Sequence, residues 1–293
     1  LEAANTKDDQ KALDDFDHAL FGHIGFATSN IVRSVWFSLT GARLLKGPYS
    51  DETKRYYQLM TRFSSNLAMM SDIAMATLGG DLKRKERISA RLGDVLSYLY
   101  LTSATLKRYN DEGRQQSDLP FVQWSAEHSL YQAQVALDEL ISNFPNKVVA
   151  AALRVLVFPF GTWLKKPSDV TDHKVSRILQ TPCEARSRLG EGQYLTRDKE
   201  NLMGQLEQAL DDILAAEPIF DKVCKAAGEK LPFYRLNLVA DKGLELNVIS
   251  EEEADLLRRA EQGRLDTINV DDFDNEELVS YSHMKPVEVK KAS

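Results

Sequence analysis

Cysteine is scarce in this sequence: its 293 residues hold two, Cys183 and Cys224, far apart and without CxxC spacing. Neither a disulfide framework, a metal knuckle nor a redox dithiol is indicated, and reduced, buried thiols fit a cytosolic setting. Walker loops, HExxH, nucleophile elbows and Rossmann glycine patterns are also missing, so the residues nominate no catalyst. The most apolar run, residues 148–166 (VVAAALRVLVFPFGTWLKK), contains Arg154 and is broken by Pro159-Phe160-Gly161. It cannot form the uninterrupted helix of about 20 residues that a bilayer span needs. No charged-then-apolar leader opens the chain, which starts at Leu1 and reads as a fragment or processed chain. Net positive charge is lacking too: 37 Lys and Arg against 44 Asp and Glu give a formal charge of -7, which argues against a nucleic-acid partner.

What the sequence has in quantity is helical periodicity. Residues 81–109 are the stretch around which the chain is organised. Ile88, Leu92, Val95, Leu99 and Leu106 fall on one helical stripe, Leu96, Tyr100 and Leu101 widen it, and Asp81 after Gly79-Gly80 is placed to cap the first turn. Upstream, residues 11–45 read as helix, with Leu13, Phe16, Leu20, Ile24, Ile31, Val35 and Leu39 lining one side. Gly22, Gly25 and Gly41 weaken it, and the five-residue spacing of His18 and His23 is poor for a metal. After Gly47-Pro48, Ser50 is the expected cap of a second helix, with Asp51 and Glu52 near its positive end. Its stripe is Tyr56, Leu59, Phe63, Leu67, Met70, Ala74 and Leu78. Met60, Met69, Met70 and Met75 read as core filler in preference to a peptide groove. A further helix starts at Asp118 and Pro120 with Phe121, Trp124, His128, Tyr131, Val135 and Ile141 inward, His128 as a hydrogen-bonded core residue in preference to a general base. Four helices across residues 11–144 make an antiparallel bundle.

Residues 148–166 have two readings, a buried hairpin clamped on the bundle, which is favoured, or an apolar edge in a membrane interface. Leu156, Phe158, Phe160 and Trp163 are the candidate membrane or domain-docking edge, with Lys165 and Lys166 at headgroup level. Beyond a short helix (DHKVSRILQ), Arg186, Arg188 and Arg197 with Gly190 and Gly192 form a weak phosphate-loop signal, more simply a turn with solvated arginines. Residues 199–230 read as helical with a break near Pro218, and Ser250 to Glu253 make a capping box. The tail after Asp271 reads as loosely ordered, and its DDFDN lacks the pattern of an EF-hand. The expected fold is all-α: a helical bundle over 1–145, an apolar connector and short helix over 146–190, and a small helical part with an acidic and basic tail over 191–293.

The most pointed charged feature is the basic turn Lys83, Arg84, Lys85, Arg87 and Arg91 at a helix N-terminus, where the dipole opposes positive charge. A solvated, locally paired face is the leading reading, with Glu86 and Asp94 as offsets. An anion, lipid or partner-protein contact is the functional one.

Several words in order, ISARLGDVLSYLYLTSATLKRY, NFPNKVVA, SDVTDHKVSRILQ, RSRLGEGQYLT, LPFYRL and RLDTINVDDFD, make the chain resemble the C-terminal region of long bacterial acyl-CoA dehydrogenases of the FadE type, over essentially all 293 residues. The resemblance implies an FAD-dependent parent enzyme of fatty-acid β-oxidation. It would convert acyl-CoA thioesters to trans-2-enoyl-CoA by α-proton abstraction and β-hydride transfer to flavin N5, and pass electrons to a transfer partner. The family's catalytic glutamate stands in a VEGAN-like motif that is absent from this chain, and the resemblance places the chain shortly after it. FAD-binding residues are likewise expected outside, in upstream dehydrogenase domains. The region resembles the helical addition associated, in very-long-chain relatives, with assembly and membrane attachment. The resemblance therefore implies a docking, assembly or membrane-association module, inactive alone, in a homo-oligomer that is cytoplasmic or peripheral on the inner face of the cell membrane. A self-contained helical interaction scaffold is the alternative.

Overall fold

In the computed structural model, residues 9–196 and 201–268 are described, and they form ten α-helices with no strand among them. The all-α expectation holds. The chain divides into two units between Arg188 and Leu189. The expectations placed on Arg197 and on the tail after Asp271 lie outside the described residues.

The first unit is built on α2 (Lys54–Leu78), α3 (Glu86–Asp111) and α4 (Leu119–Ser142), which share one core. Phe63, Met69, Met70 and Ala74 from α2, Val95 and Leu106 from α3, and Leu130, Leu137 and Ile141 from α4 are almost fully buried. Met69 and Met70 are thus core, whereas Met75 is exposed. The widening of the α3 stripe is not used: Leu96, Tyr100 and Leu101 all face solvent, and α3 buries Ile88, Val95, Leu99, Thr102, Leu106 and Tyr109 instead.

The inward face of α4 also differs from the expected one. Its buried line runs through Val122, Ala126, Ala133, Leu137 and Leu140, while Phe121, Trp124, His128, Tyr131 and Val135 sit half-buried on the flank. Alanines at the centre admit neighbouring helices at short range. Bulky amphipathic rings do better at a rim where their polar tips find partners. Trp124 does so by donating its indole N–H to Asp172 of α6 (Asp169–Gln180). His128 stacks on the Trp124 ring, centroids 5.1 Å apart and planes 3° from parallel, so it is a stacked rim residue in place of a core one.

Helix starts are set by neighbours of the expected caps. The α2 N-cap is Thr53, and Asp51 in place of Ser50 organises the turn, accepting from the Thr53 amide at 3.0 Å and pairing with Arg114. Before α3 comes a 3-10 turn, Gly79–Lys83, in which the Asp81 carbonyl accepts from the Arg84 and Lys85 amides. Asp81 therefore closes that turn and does not cap α3, whose first residue is Glu86.

Shorter helices follow besides α6: α5 (Lys147–Val157), capped by the Asn146 side chain, and α7 (Glu184–Leu189). The arginines near α7 are bonded and not free in solvent. Arg188 forks onto Asp118 at 2.8 and 3.0 Å, and Arg186 donates to the Leu179 carbonyl.

In the second unit α8 (Leu202–Ala227), α9 (Leu236–Glu245) and α10 (Glu251–Ile268) close over Val223, Leu236, Val239, Ala254 and Leu257. The expected break at Pro218 does not occur. Proline there forfeits one bond, to the Leu214 carbonyl, on an exposed side, while Ala216 and Ile219 on the buried side keep the helix seated. The capping box of α10 is formed, Ser250 N–H to Glu253 at 3.0 Å and Glu253 N–H to Ser250 Oγ at 3.2 Å.

Candidate functional site

Helix α1 (Asp9–Leu39) is the element that packs least like its sequence suggests. Its apolar residues should line a core, yet Leu13, Phe16, Leu20, Phe21, Ile24 and Phe26 are all exposed, as is every residue from 13 to 26. A Cβ built on Gly22 or Gly25 would meet nothing within 4 Å. What the helix buries is polar: Asn30, Ser34 and Ser38, spaced four apart on one face. Ser34 and Ser38 both donate to Asn66 Oδ1 of α2, at 2.5 and 3.3 Å, and Asn30 reaches Asp72 at 3.5 Å. Small hydroxyls here satisfy the buried amide oxygen of Asn66, which a larger apolar side chain would leave stranded.

The connector after α5 is clamped from two sides. Arg62, 2% exposed in the middle of α2, donates to the Val157 carbonyl at 2.8 Å and so closes the C-terminal end of α5, where a cation suits the helix dipole. Gln134 of α4 binds the connector backbone at Trp163 and Leu164. Of the four candidate edge residues, Phe158 is buried (4% exposed), Leu156 is half-buried against the core, Phe160 is 74% exposed and Trp163 40% exposed. The run is thus neither wholly buried nor wholly an open edge: one face of α5, with Leu153 and Val157, serves the core, and Val148 and Val155 face out.

Around Trp163 stands a set of arginines not singled out from the sequence. The Arg55 guanidinium lies over the indole at 5.3 Å and that of Arg62 at 5.8 Å. Arg55 also donates to the Gly41 carbonyl and to Gln58. Burial first, and then the neighbouring cations (Arg43 for Arg55, Arg55 for Arg62), push both guanidinium groups down to about 10. A cavity of about 230 Å³ opens here, lined by Ser38, Leu39, Thr40, Gly41, Arg43, Phe160 and Trp163.

At the basic turn, Lys83, Arg84, Lys85 and Arg87 are exposed, with Arg84 3.8 Å from Asp81. Arg91 is separated from them: it is half-buried and reaches Glu139 of α4 at 3.4 Å. Four of the five thus form a surface patch and the fifth joins two helices.

Among the described residues no group of three His, Cys, Asp or Glu side chains could hold a metal ion, and no helix is long and apolar enough to cross a membrane. The described pocket at Trp163 is smaller than the roughly 300–1,000 Å³ of ligand clefts, and its residues do not fit a flavin dinucleotide. No solved structure matches the chain. A family model does, the C-terminal region of bacterial-type acyl-CoA dehydrogenases, over residues 1–273. Covering nearly the whole sequence, that match shows that the chain belongs to the bacterial-type acyl-CoA dehydrogenase C-terminal family.

Proposed function

We propose that this region is the docking module of an FAD-dependent acyl-CoA dehydrogenase of fatty-acid β-oxidation, and that α1 seats against the upstream dehydrogenase body of the same protein. The observation that carries the reading is the stretch 13–26 of α1, exposed at every residue, with its leucines, phenylalanines and isoleucine. A helical segment of that length is marginal in water by itself. Covering Leu13, Phe16, Leu20, Phe21 and Ile24, each about half exposed, is worth roughly 5 kcal/mol before ordering costs. Asp14, Asp15 and Asp17 on the same stretch disfavour an anionic bilayer, since interfacial helices carry lysine and arginine on the polar face. Acyl-CoA, FAD and the electron-transfer partner are engaged by the upstream body in this reading, and no catalytic residue is assigned here.

Hydrogen exchange tests it. Amides 13–26 should exchange at least about a hundredfold more slowly in the full-length enzyme than in the 293-residue chain, and Leu20→Asp in the full-length enzyme should abolish that protection. Equal exchange in the two proteins would remove α1 as the docking element.

Val148, Val155 and Phe160, exposed beside Lys147, Lys165 and Lys166, favour a second reading, a peripheral membrane contact through the connector. Vesicle sedimentation decides it, and failure to co-sediment with either neutral or anionic vesicles rules it out.

A further inference from the structure

One buried and one half-buried guanidinium group, Arg62 and Arg55, without a carboxylate are an unusual thing for a helical bundle to keep. Arg62 is 2% exposed, and among the described residues neither its Nε nor the buried Nη2 of Arg55 has a hydrogen-bond partner. Among the described residues the charges that act on them are their own and that of Arg43, all of one sign. Carbonyl bonds and the Trp163 ring account for part of their stabilisation, but they neutralise no charge. An anion beside them would.

The cavity at Trp163 is where one fits. Arg43 lines it and is exposed, so its fork is available, and the Trp163 indole N–H donates to none of the described residues. The segment carrying Arg43 is built in place. Gly41 and Ala42 both take left-handed backbone, at φ 57° and 58°, and Ala42 does so while completely buried. That conformation costs an alanine about 1–2 kcal/mol. Buried Gln58 holds it by donating to the Arg43 and Leu45 carbonyls at 3.2 and 2.9 Å. Strain held next to a cavity with unused donors is characteristic of ligand sites.

We propose that this cavity binds the phosphate group of a small molecule, gripped by Arg43 and the Trp163 N–H, while Arg55 and Arg62, which do not line the cavity, lie over the Trp163 ring and add positive charge close by. A dianion offsets more of that charge than a carboxylate does, and a guanidinium fork matches its oxygens. Leu39, Phe160 and Trp163 give the mouth an apolar and aromatic lining, suited to the organic part of a phosphate monoester.

Titration calorimetry of the full 293-residue chain with inorganic phosphate and with adenosine monophosphate tests this. Saturable binding is expected, weakened about tenfold or more in Arg43→Gln, the loss for one charge-assisted hydrogen bond. Arg43 is exposed, so its variant should keep wild-type helicity by circular dichroism. Trp163→Phe keeps a ring and removes the N–H, and should weaken binding several-fold. Tighter binding of the monoester assigns the site to an organic phosphate, and equal binding assigns it to the free ion. The absence of saturable heat with both ligands, or Arg43→Gln binding within twofold of wild type, overturns the proposal.

Discussion

Gln134 and Leu164 bond to each other as two strands of a sheet would. The glutamine Nε2 donates to the Leu164 carbonyl at 3.2 Å, and its Oε1 accepts from the Leu164 amide at 3.0 Å. The same oxygen accepts from the Trp163 amide at 3.1 Å, so one side chain satisfies three backbone groups of an irregular segment. Gln134→Leu should therefore destabilise the first unit by about 2–4 kcal/mol, far beyond the loss of one hydrogen bond. Urea unfolding read by the fluorescence of the tryptophans would check this.

Asn66 holds α1 through Ser34 and Ser38. Asn66→Ala should cost about 1–3 kcal/mol by leaving both hydroxyls stranded, and hydrogen exchange should accelerate over residues 30–38 before it does over α3 or α4.

Gly243 of α9 has no room for a side chain. A Cβ there would lie 2.6 Å from Ile249 Cδ1 and 2.8 Å from Val223 Cγ2. Although alanine is the better helix former by about 1 kcal/mol, Gly243→Ala should be net destabilising, by about 1 kcal/mol or more, because a β-branched valine cannot swing away. A shift of the urea midpoint to lower concentration is the expected sign.

At the start of α10, the Ser250 amide first, and then Lys222, hold the Glu253 carboxyl below its ordinary 4.5. A carboxylate with a depressed folded value adds stability above its unfolded value and loses it as pH falls through the folded one. Glu253→Gln should thus be less stable than wild type at pH 7, and the difference should shrink as pH falls below 4.5, in paired thermal melts. Ser250→Ala should cost about 1 kcal/mol at pH 7.

Charge reversal separates the basic patch from the helix joint beside it. Lys83→Glu with Lys85→Glu and Arg87→Glu should leave the melting temperature within about 2 °C, as exposed changes do. Any loss of partner or anionic-vesicle binding then belongs to the patch. Arg91→Glu should lower stability by facing Glu139. Including it in the reversal would blur the result.

The fold was legible wherever apolar spacing and burial coincide, as along Ile88, Val95, Leu99 and Leu106. It failed where small or polar residues make the contact. Ala126 and Ala133 outrank Trp124 and Tyr131 in burial because a close helix approach needs small side chains, which periodicity weighted by bulk overlooks. The seam of α1 failed for the same reason: Ser34 and Ser38 pack while Leu13 and Phe16 do not, since the fate of an apolar stripe depends on a partner the stripe does not name. Of the candidate site, the basic turn was readable as a run of like charge. Arg55 and Arg62 were not, because they lie seven residues apart and only tertiary contact with Trp163 gathers them. An arginine on an otherwise apolar stripe, as Arg62 is between Leu59 and Phe63, was the available signal.

The serine and asparagine seam also fixes how α1 responds to temperature. Opening a contact made of hydroxyls and amides wets little hydrocarbon, so it carries only a small heat-capacity change. Contacts sealed by oily side chains loosen on cooling, but this one has little such sealing to lose, and α1 should hold its place on α2 in the cold while an apolar partner on its outer face lets go first.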